Sequence, residues 1–251
     1  MSSDSLHRWL EAAWIGSEVG TLQPKYRAVL LAADGLRPGP SDHTSEPILA
    51  AAEQIARDRL QRTPLETLPH IQQWREAFRG FGAKPNRTRP SVESLLRRLD
   101  RGLPRIDRLT DLYNAVSIRH LVPVGGEDLQ QYVGPLRLTR ASGGENFDTT
   151  AGGRPVVEYA DPGEVIWRDD IGATCRRWNW RQGTRTRITD RTTRAVFILD
   201  ALPALGITEL HDAADHLRQL LRQINPGATI VARLSVPRAN PVPPSAPVSG
   251  A

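Results

Sequence analysis

The spacing of apolar residues changes once along the chain, near Pro123, and this change limits the fold more than any other feature. Before Pro123, apolar residues recur at helical intervals, as in the stripe Leu109, Leu112, Tyr113 and Val116. After it, short apolar runs alternate with glycine turns, which is typical of strands. Because helices gather early and strands late, the sequence predicts an α+β fold rather than a regular βαβ alternation.

Capping residues, prolines and glycines predict where each element begins and ends. The predicted helices span 5–18, a segment from about 45, 67–78, 91–99, 107–120 and 208–224. The predicted strands span 26–31, 135–139, 156–159, 164–168, 173–180, 195–199 and 229–234. We predict one domain over residues 1–236, followed by a disordered tail over 237–251 that is rich in Pro, Ser and Ala.

Composition narrows the setting in which the protein works. The single cysteine, Cys175, excludes a framework of internal disulfides and fits a reducing compartment. The N-terminus lacks a signal peptide, and no stretch approaches the roughly 20 apolar residues of a membrane span. The sequence therefore predicts a cytoplasmic protein that does not enter the membrane.

The charge balance weakly favours an anionic partner. The chain carries 33 basic and 28 acidic residues, a formal net charge of +5, and the two signs are interspersed. All the basic residues except Lys25 and Lys84 are arginine. This bias reflects either forked contacts to phosphate or a GC-rich genome, so charge alone does not establish RNA binding.

Several common catalytic motifs are missing from the sequence. It contains no Walker A sequence, dinucleotide-binding glycine fingerprint, His-Glu-x-x-His motif or paired cysteines. We therefore expect neither a cofactor nor a metal. The pairs Gly125-Gly126 and Gly143-Gly144 either cradle an anion with backbone amides or form tight turns.

The segment 169–182 concentrates Trp, Arg, Asn and acidic residues. If residues 173–182 form one strand, alternation places Thr174, Arg176, Trp178 and Trp180 on one face and Cys175, Arg177, Asn179 and Arg181 on the other. One interpretation puts the tryptophans in the core and the Arg-Asn-Arg row in solvent. The other has this row bind a carboxylate, phosphate or ribose through its oriented donors.

Four further residues are candidates for chemistry. Asn114 lies off the apolar stripe of its helix, and His120 lies near the end of that helix. Each is either a capping or surface residue or a residue that positions substrate or water. Glu145 follows Gly143-Gly144 on a turn, where a carboxylate is usually solvated. The place of Cys175 beside tryptophan favours a small buried residue over a catalytic thiol.

A series of short motifs between Trp74 and Leu202 resembles the B-three/B-four editing module of the phenylalanyl-tRNA synthetase beta subunit in a freestanding form. Their order and spacing carry the resemblance. The motifs are Trp74-Arg75-Glu76-Ala77-Phe78, Phe81-Gly82, 91–98, Leu103-Pro104-Arg105-Ile106, 111–117, 123–128, 134–138, Gly144-Glu145-Asn146-Phe147, Pro162-Gly163-Glu164-Val165 and 175–182.

The resemblance implies a three-layer β/β/α domain, here with additional N-terminal helices. In the synthetase this module hydrolyses the ester of wrongly charged tRNA, a second sieve for amino acids that binding alone separates poorly. A freestanding copy would act in trans on the aminoacylated 3′ end of tRNA. The chain lacks an aminoacylation domain, so we expect no charging of tRNA, and we expect no DNA partner.

By the same resemblance, the pocket is expected where the Asn114 helix, the turn 143–147 and the strand 175–182 converge. Asn114, Glu145 and His120 are the candidates for orienting the substrate amino group or water. The candidates for contacting the terminal phosphate and ribose are Gly144, Arg176, Arg177, Asn179 and Arg181. Two alternatives stay open: a non-catalytic RNA-binding module, and a hydrolase or sensor of a free amino acid or small ester.

Overall fold

In a computed structural model that describes residues 2–238, seven α-helices and eleven β-strands follow one another along the chain. The helices are α1 (Ser3–Ala12), α2 (Ser17–Leu22), α3 (Glu46–Arg62), α4 (Pro69–Gly80), α5 (Ser91–Leu96), α6 (Arg108–His120) and α7 (Ile207–Ile224). The strands are β1 (Trp14–Ile15), β2 (Arg27–Asp34), β3 (Val124–Asp128), β4 (Arg137–Arg140), β5 (Asn146–Ala151), β6 (Arg154–Tyr159), β7 (Val165–Arg168), β8 (Ala173–Arg176), β9 (Arg181–Gln182), β10 (Arg194–Ala201) and β11 (Thr229–Ser235).

The strands form two larger sheets and one hairpin. The first sheet has the order β1-β4-β7-β8-β9, and the second has the order β11-β2-β10-β3. All pairs in the second sheet are antiparallel, whereas β1 joins β4 in parallel. Strands β5 and β6 pair only with each other among the described residues, and Phe147 packs this hairpin against Ile166 and Ala173 of the first sheet.

Strand β2 shows how the layers stack. Because successive side chains point to opposite faces of a strand, Leu30 faces a core between the two sheets, whereas Leu31 faces a core under α6 and α7. Both faces of the strand are buried, which explains its continuous apolar run. The order sheet, sheet, helix confirms the expected α+β fold of β/β/α type. Helices α3 and α4 pack with α5 and α6 around a third core.

The structure corrects several predicted element details. Helix α1 begins at Ser3 with Ser2 as its N-cap, and Trp14 belongs to a strand rather than to that helix. Helix α3 buries Leu49, Ala52 and Ala56, whereas Ile55 is 36% exposed. Packing against α6 selects this face, since periodicity alone leaves neighbouring faces nearly equivalent.

The predicted strand over 173–180 is wrong beyond Arg176, and residues 173–182 do not form one strand. Strands β8 and β9 form an antiparallel hairpin, and residues 177–180 turn the chain between them. Arg177 and Trp178 adopt left-handed backbone conformations, with φ of 48° and 67°. The buried Trp178 ring contacts Tyr26 and Trp74 edge to face, with centroid distances of 4.9 and 5.3 Å. Burial of this large aromatic side chain outweighs the backbone strain.

The C-terminal end is described only as far as Arg238, whose backbone N–H donates to the carbonyl of Ile15 at 2.9 Å. The predicted tail from 237 onward therefore lies mostly outside the described residues. Within residues 2–238, no helix has the length and apolar content needed to cross a membrane.

Candidate functional site

A cavity of about 330 Å³ opens where the two sheets meet α5 and α6. Strands β3 and β10 form one wall and the β7–β9 region forms the other, with α5 beside the opening. The residues that line it include Ser91, Arg98, Tyr113, Asn114, Gly125, Glu127, Trp167, Cys175, Trp178, Asn179, Trp180, Arg181 and Asp200. Sequence positions from both halves of the chain thus meet at one concave site, the usual form of a ligand site.

Asp200, near the end of β10, lies in the cavity wall and is 2% exposed. The Tyr26 hydroxyl donates to one of its carboxyl oxygens, and the Asn179 side-chain amide donates to the other at 3.2 Å. Burial raises the pKa of Asp200 to about 7. The carboxyl therefore changes its protonation state near neutral pH, which is common in functional sites.

Glu127, in β3, is a second buried carboxyl in the same cavity, and it is 1% exposed. The Tyr132 hydroxyl donates to its Oε2 at 2.5 Å. Burial raises the pKa of Glu127, and the hydrogen bond from Tyr132 offsets this only in part. In the part of the chain from 2 to 238, neither Glu127 nor Asp200 forms a salt bridge with an arginine or lysine.

Four buried polar atoms in the cavity wall have no hydrogen-bond partner within residues 2–238. They are Oδ1 of Asn179, the indole Nε1 atoms of Trp167 and Trp178, and Oγ of Ser91. Buried polar groups in proteins are nearly always paired, so an unpaired acceptor beside unpaired donors indicates room for a ligand or ordered water.

Asn114 reaches the cavity from the second turn of α6. Asp107 caps this helix by accepting from the backbone N–H of Thr110 at 2.8 Å. The helix packs its apolar stripe on the second sheet, and Asn114 is 6% exposed between this sheet and α5. Its side-chain amide can both donate and accept, as a group that orients a substrate or water requires.

The mouth of the cavity is basic and aromatic. Arg98 is exposed there, and no carboxylate within the described residues forms a salt bridge with it. The Arg181 guanidinium lies 5.7 Å from the centre of the half-buried Trp180 ring and 3.5 Å from Glu158. Guanidinium groups beside an aromatic ring suit a phosphate next to a base or ribose.

Glu145 and Gly144 lie outside the cavity lining. The Glu145 carboxylate accepts from the backbone N–H groups of Ser142 and Gly143 at 2.9 and 3.0 Å and from Arg168 at 3.1 Å. Burial raises the pKa of Glu145, but these hydrogen bonds outweigh it, and the pKa is lowered overall. The turn 143–147 thus serves the β5–β6 hairpin and does not join the Asn114 helix at the pocket.

His120 also lies away from the cavity lining. Its Nε2 is 2.9 Å from Nδ1 of His216 on α7, and burial lowers the pKa of His120 to about 4. Within residues 2–238, no cluster of three or more His, Cys, Asp or Glu has the geometry of a metal site.

Arg176 and Arg177 are engaged in an ion-pair network outside the cavity. Arg176 binds Glu164 at 2.7 Å and Asp161 at 3.2 Å. Arg177 binds Asp161 at 3.1 Å and donates to the Thr88 hydroxyl at 2.7 Å. Of the predicted phosphate and ribose ligands, the structure therefore brings Asn179 and Arg181 to the cavity with Asn114.

Cys175 lies in the cavity wall but is not poised as a nucleophile. It is 5% exposed, and burial raises the pKa of its thiol well above the ordinary value. The reactive form of a cysteine is the thiolate, which this environment disfavours. The structure supports the interpretation of Cys175 as a small buried residue.

The sequence analysis missed Glu127 and Asp200. Asp200 directly follows an apolar run in β10, and Glu127 follows two glycines in β3. An acidic residue that interrupts a buried strand is a signal, because such a residue is seldom fully buried without a reason.

A match to a protein-family model identifies the family of this chain. The model of the B3/4 domain matches residues 73–227. The chain belongs to the B3/4 domain family. The match to the B3/4 domain covers α5, α6, β3 and the β7–β10 region, so it contains every element that lines the cavity. This confirms the family that the sequence motifs resemble.

The chain also has a remote structural similarity to a solved protein. No curated protein matches the sequence of the chain. One similar solved structure is an N-terminal fragment of the phenylalanyl-tRNA synthetase beta-subunit from Pyrococcus horikoshii, with 11% sequence identity and a TM-score of 0.43. That alignment covers 87% of this chain and 50% of the fragment. The chain thus spans half the length of that fragment.

Proposed function

We propose that this B3/4 domain hydrolyses the ester of mischarged aminoacyl-tRNA in trans. The observation that carries the proposal is the polarity of the cavity: carboxyls and aromatic rings line the interior, whereas Arg98 and Arg181 stand at the mouth. An aminoacyl ester has the complementary polarity, because its ammonium enters with the amino acid and its phosphate stays outside.

The chemistry needs a placed water and donors for the developing oxyanion rather than a covalent nucleophile. Asn114 is the residue that we assign to orienting the water or the ester carbonyl, since its amide can donate or accept. Asn179 and Arg181 hold the ribose and phosphate side of the ester. The protonated thiol of Cys175 takes no part in this scheme.

The tRNA part of the proposal rests on the motif resemblance and on family membership. Residues 1–236 act as one working unit in this function, and we assign the activity to the cytosol, where tRNA is charged. The single cysteine fits that reducing compartment. We expect no aminoacylation by this chain.

The test is time-resolved deacylation of a panel of correctly and incorrectly charged tRNAs. We expect selective hydrolysis of one mischarged class and a loss of about 10²-fold or more in Asn114→Ala, the size typical of a lost transition-state contact. Asn146→Ala is the matched control, because Asn146 is exposed and lies outside the cavity lining.

Two results would contradict the proposal. Salt-sensitive tRNA binding without hydrolysis of any charged tRNA would make the chain a binding module. Turnover of small amino-acid esters at the rate of charged tRNA would show that the nucleic acid is not part of the substrate.

A further inference from the structure

We propose that the interior of the cavity binds two ammonium groups, and that the acyl group removed is a diamino acid of the lysine and ornithine class. This inference rests on the proposed function and names its substrate class. It depends on the groups that the cavity leaves without partners.

The first observation is a pair of buried carboxyls that form no salt bridge within residues 2–238, although the charge of Arg185 acts on Glu127 from a distance. Glu127 and Asp200 line one cavity and are 1% and 2% exposed. Tyr26 and Asn179 donate to Asp200, and Tyr132 donates to Glu127. Buried acids are normally paired with a cation or a metal, so two unpaired acids facing one space call for positive charge from a ligand.

The second observation is independent of charge. Asn179 is 7% exposed, and its Oδ1 atom has no partner within the described residues. The Nδ2 atom of the same amide is fixed on Asp200 at 3.2 Å, so Oδ1 is an acceptor held in place by its own side chain. An ammonium group carries three donors and can bind this oxygen together with a carboxylate.

The walls favour a cation over a neutral polar group. Trp167, Trp178 and Tyr113 line the cavity, and aromatic faces attract ammonium groups in sites closed to water.

The number of charges selects a diamino acid. An ordinary aminoacyl ester carries one ammonium group, which can neutralise one of the two carboxylates. A lysine or ornithine side chain supplies the second. A phenylalanine or tyrosine ring in the same space would bury a carboxyl against an apolar face, which is unfavourable.

The experiment is calorimetric titration of the full chain with amino acid amides, which mimic the uncharged carboxyl end of an acyl group. The probes are lysinamide, ornithinamide, norleucinamide, phenylalaninamide and tyrosinamide. Norleucinamide is the matched probe, since it keeps the α-amino group and the chain length and lacks the side-chain amine. We expect lysinamide or ornithinamide to bind at least about tenfold more tightly than norleucinamide, the size of one charge-assisted hydrogen bond.

Proton release on binding distinguishes a ligand-binding role of the two carboxyls from a purely structural role. The titratable groups that face Asp200 are Tyr26, Glu127 and Cys175. Those that face Glu127 are Tyr132, Cys175 and Arg185, and the charge of Arg185 lowers the pKa of Glu127. A bound ammonium favours the ionised carboxylates, so titrations at pH 6 in buffers of different ionisation enthalpy should show protons released on binding of lysinamide. Glu127→Gln and Asp200→Asn should each reduce the release and the affinity, whereas the exposed Asp190→Asn should change neither.

Equal or tighter binding of norleucinamide, phenylalaninamide or tyrosinamide would overturn the inference. So would binding of lysinamide without proton release. These results concern the unaltered protein and do not depend on the folding of any variant. Because no tRNA is present in this titration, selective binding of lysinamide would stand even if the chain failed to deacylate tRNA. Deacylation of an aromatic aminoacyl-tRNA would refute the inference about the diamino acid and leave the proposed function intact.

Discussion

At the scale of single residues, Asp200 sets a pH dependence of stability. Burial raises its pKa from 3.8 to about 7. Between these values the folded state keeps a proton that the unfolded state has released, so this residue lowers the free energy of unfolding as pH rises. The difference corresponds to roughly 4 kcal/mol at most.

Asp200→Asn removes this dependence because the amide cannot ionise. We expect the stability of the variant relative to the parent to increase from pH 5 to pH 8, measured by urea unfolding at several pH values. Asp190→Asn, an exposed change of the same kind, should give a flat difference. A constant difference for Asp200→Asn across this range would show that the carboxyl titrates normally.

Gly126 is the residue that lets Tyr113 form the cavity wall. A Cβ at Gly126 would lie 2.7 Å from Ile188 Cδ1 and 2.9 Å from Tyr113 Cε1, closer than packed atoms approach. Gly126→Ala should therefore cost about 1–3 kcal/mol of stability by overpacking, and it should slow deacylation by moving the ring.

The control for this change is Gly227→Ala, because a Cβ there meets nothing within 4 Å. Thermal and urea unfolding of both variants measure the difference. Equal stability of the two variants would mean that the second sheet adjusts to the added Cβ atom at little cost in stability.

At this scale the sequence predicts some site residues and hides others. Asn114 stands out because it departs from the apolar stripe of its helix, and the structure places it in the cavity wall. Glu145 stands out because it follows two glycines on a turn, yet its carboxylate already accepts hydrogen bonds from local backbone amides. Which role a polar residue takes depends on partners far away in sequence, as for Asp200 with Tyr26.

At the scale of elements, the six-residue helix α5 depends on one buried acid. Glu93 is fully buried and binds Arg75 at 2.7 Å and Arg97 at 2.9 Å. Burial raises its pKa, but these guanidinium groups outweigh the effect and lower it overall. A helix this short gains little from its own hydrogen bonds, so this network holds it beside the cavity.

Glu93→Gln should destabilise the fold by about 1–3 kcal/mol. It should also increase amide hydrogen exchange over residues 91–101 and weaken binding at the cavity. Glu66→Gln is the matched control, because Glu66 binds the same Arg97 but is exposed, and we expect little change there. Faster exchange in both variants would show that Arg97, and not Glu93, is the anchor.

The elements also show where pattern reasoning fails. Helix α6 follows from its stripe and its Asp107 cap, because both signals are local. The hairpin of β8 and β9 has no such signal: its turn residues Arg177 and Trp178 take left-handed conformations without glycine or asparagine. Contacts of Trp178 with aromatic residues distant in sequence determine the conformation of that turn. Local propensity does not predict such contacts.

At the scale of the whole molecule, the β/β/α layering could be predicted from the sequence. The order of elements, with helices first and strands later, predicts it together with the family resemblance. The strand order within each sheet could not be predicted in this way. Strand β2 lies between β10 and β11, which are more than 150 residues away in sequence. Such long-range pairing is specified by the complementarity of whole faces, and the cavity exists only where these distant strands meet.

The distribution of charge over the whole molecule gives the last prediction. The net charge is +5, but many arginines are bound to carboxylates, as Arg176 is to Glu164. Under the proposed function, Arg98 and Arg181 at the cavity mouth would contact the phosphates of a single-stranded 3′ end; Arg98 forms no salt bridge within residues 2–238, and Arg181 lies 3.5 Å from Glu158. Each phosphate contact on a single strand contributes about −0.7 to the slope of log K against log salt.

We therefore expect a slope of about −1.5 for binding of a tRNA 3′ end, measured by fluorescence anisotropy across salt concentrations. Arg98→Ala should reduce its magnitude by about 0.7, and Arg218→Ala, an arginine on α7 outside the cavity, should leave it unchanged. Binding of lysinamide inside the cavity should depend little on salt, because buried pairs are weakly screened. A slope near −5 would instead require an extended basic surface, and the cavity mouth would then be a minor part of the RNA contact.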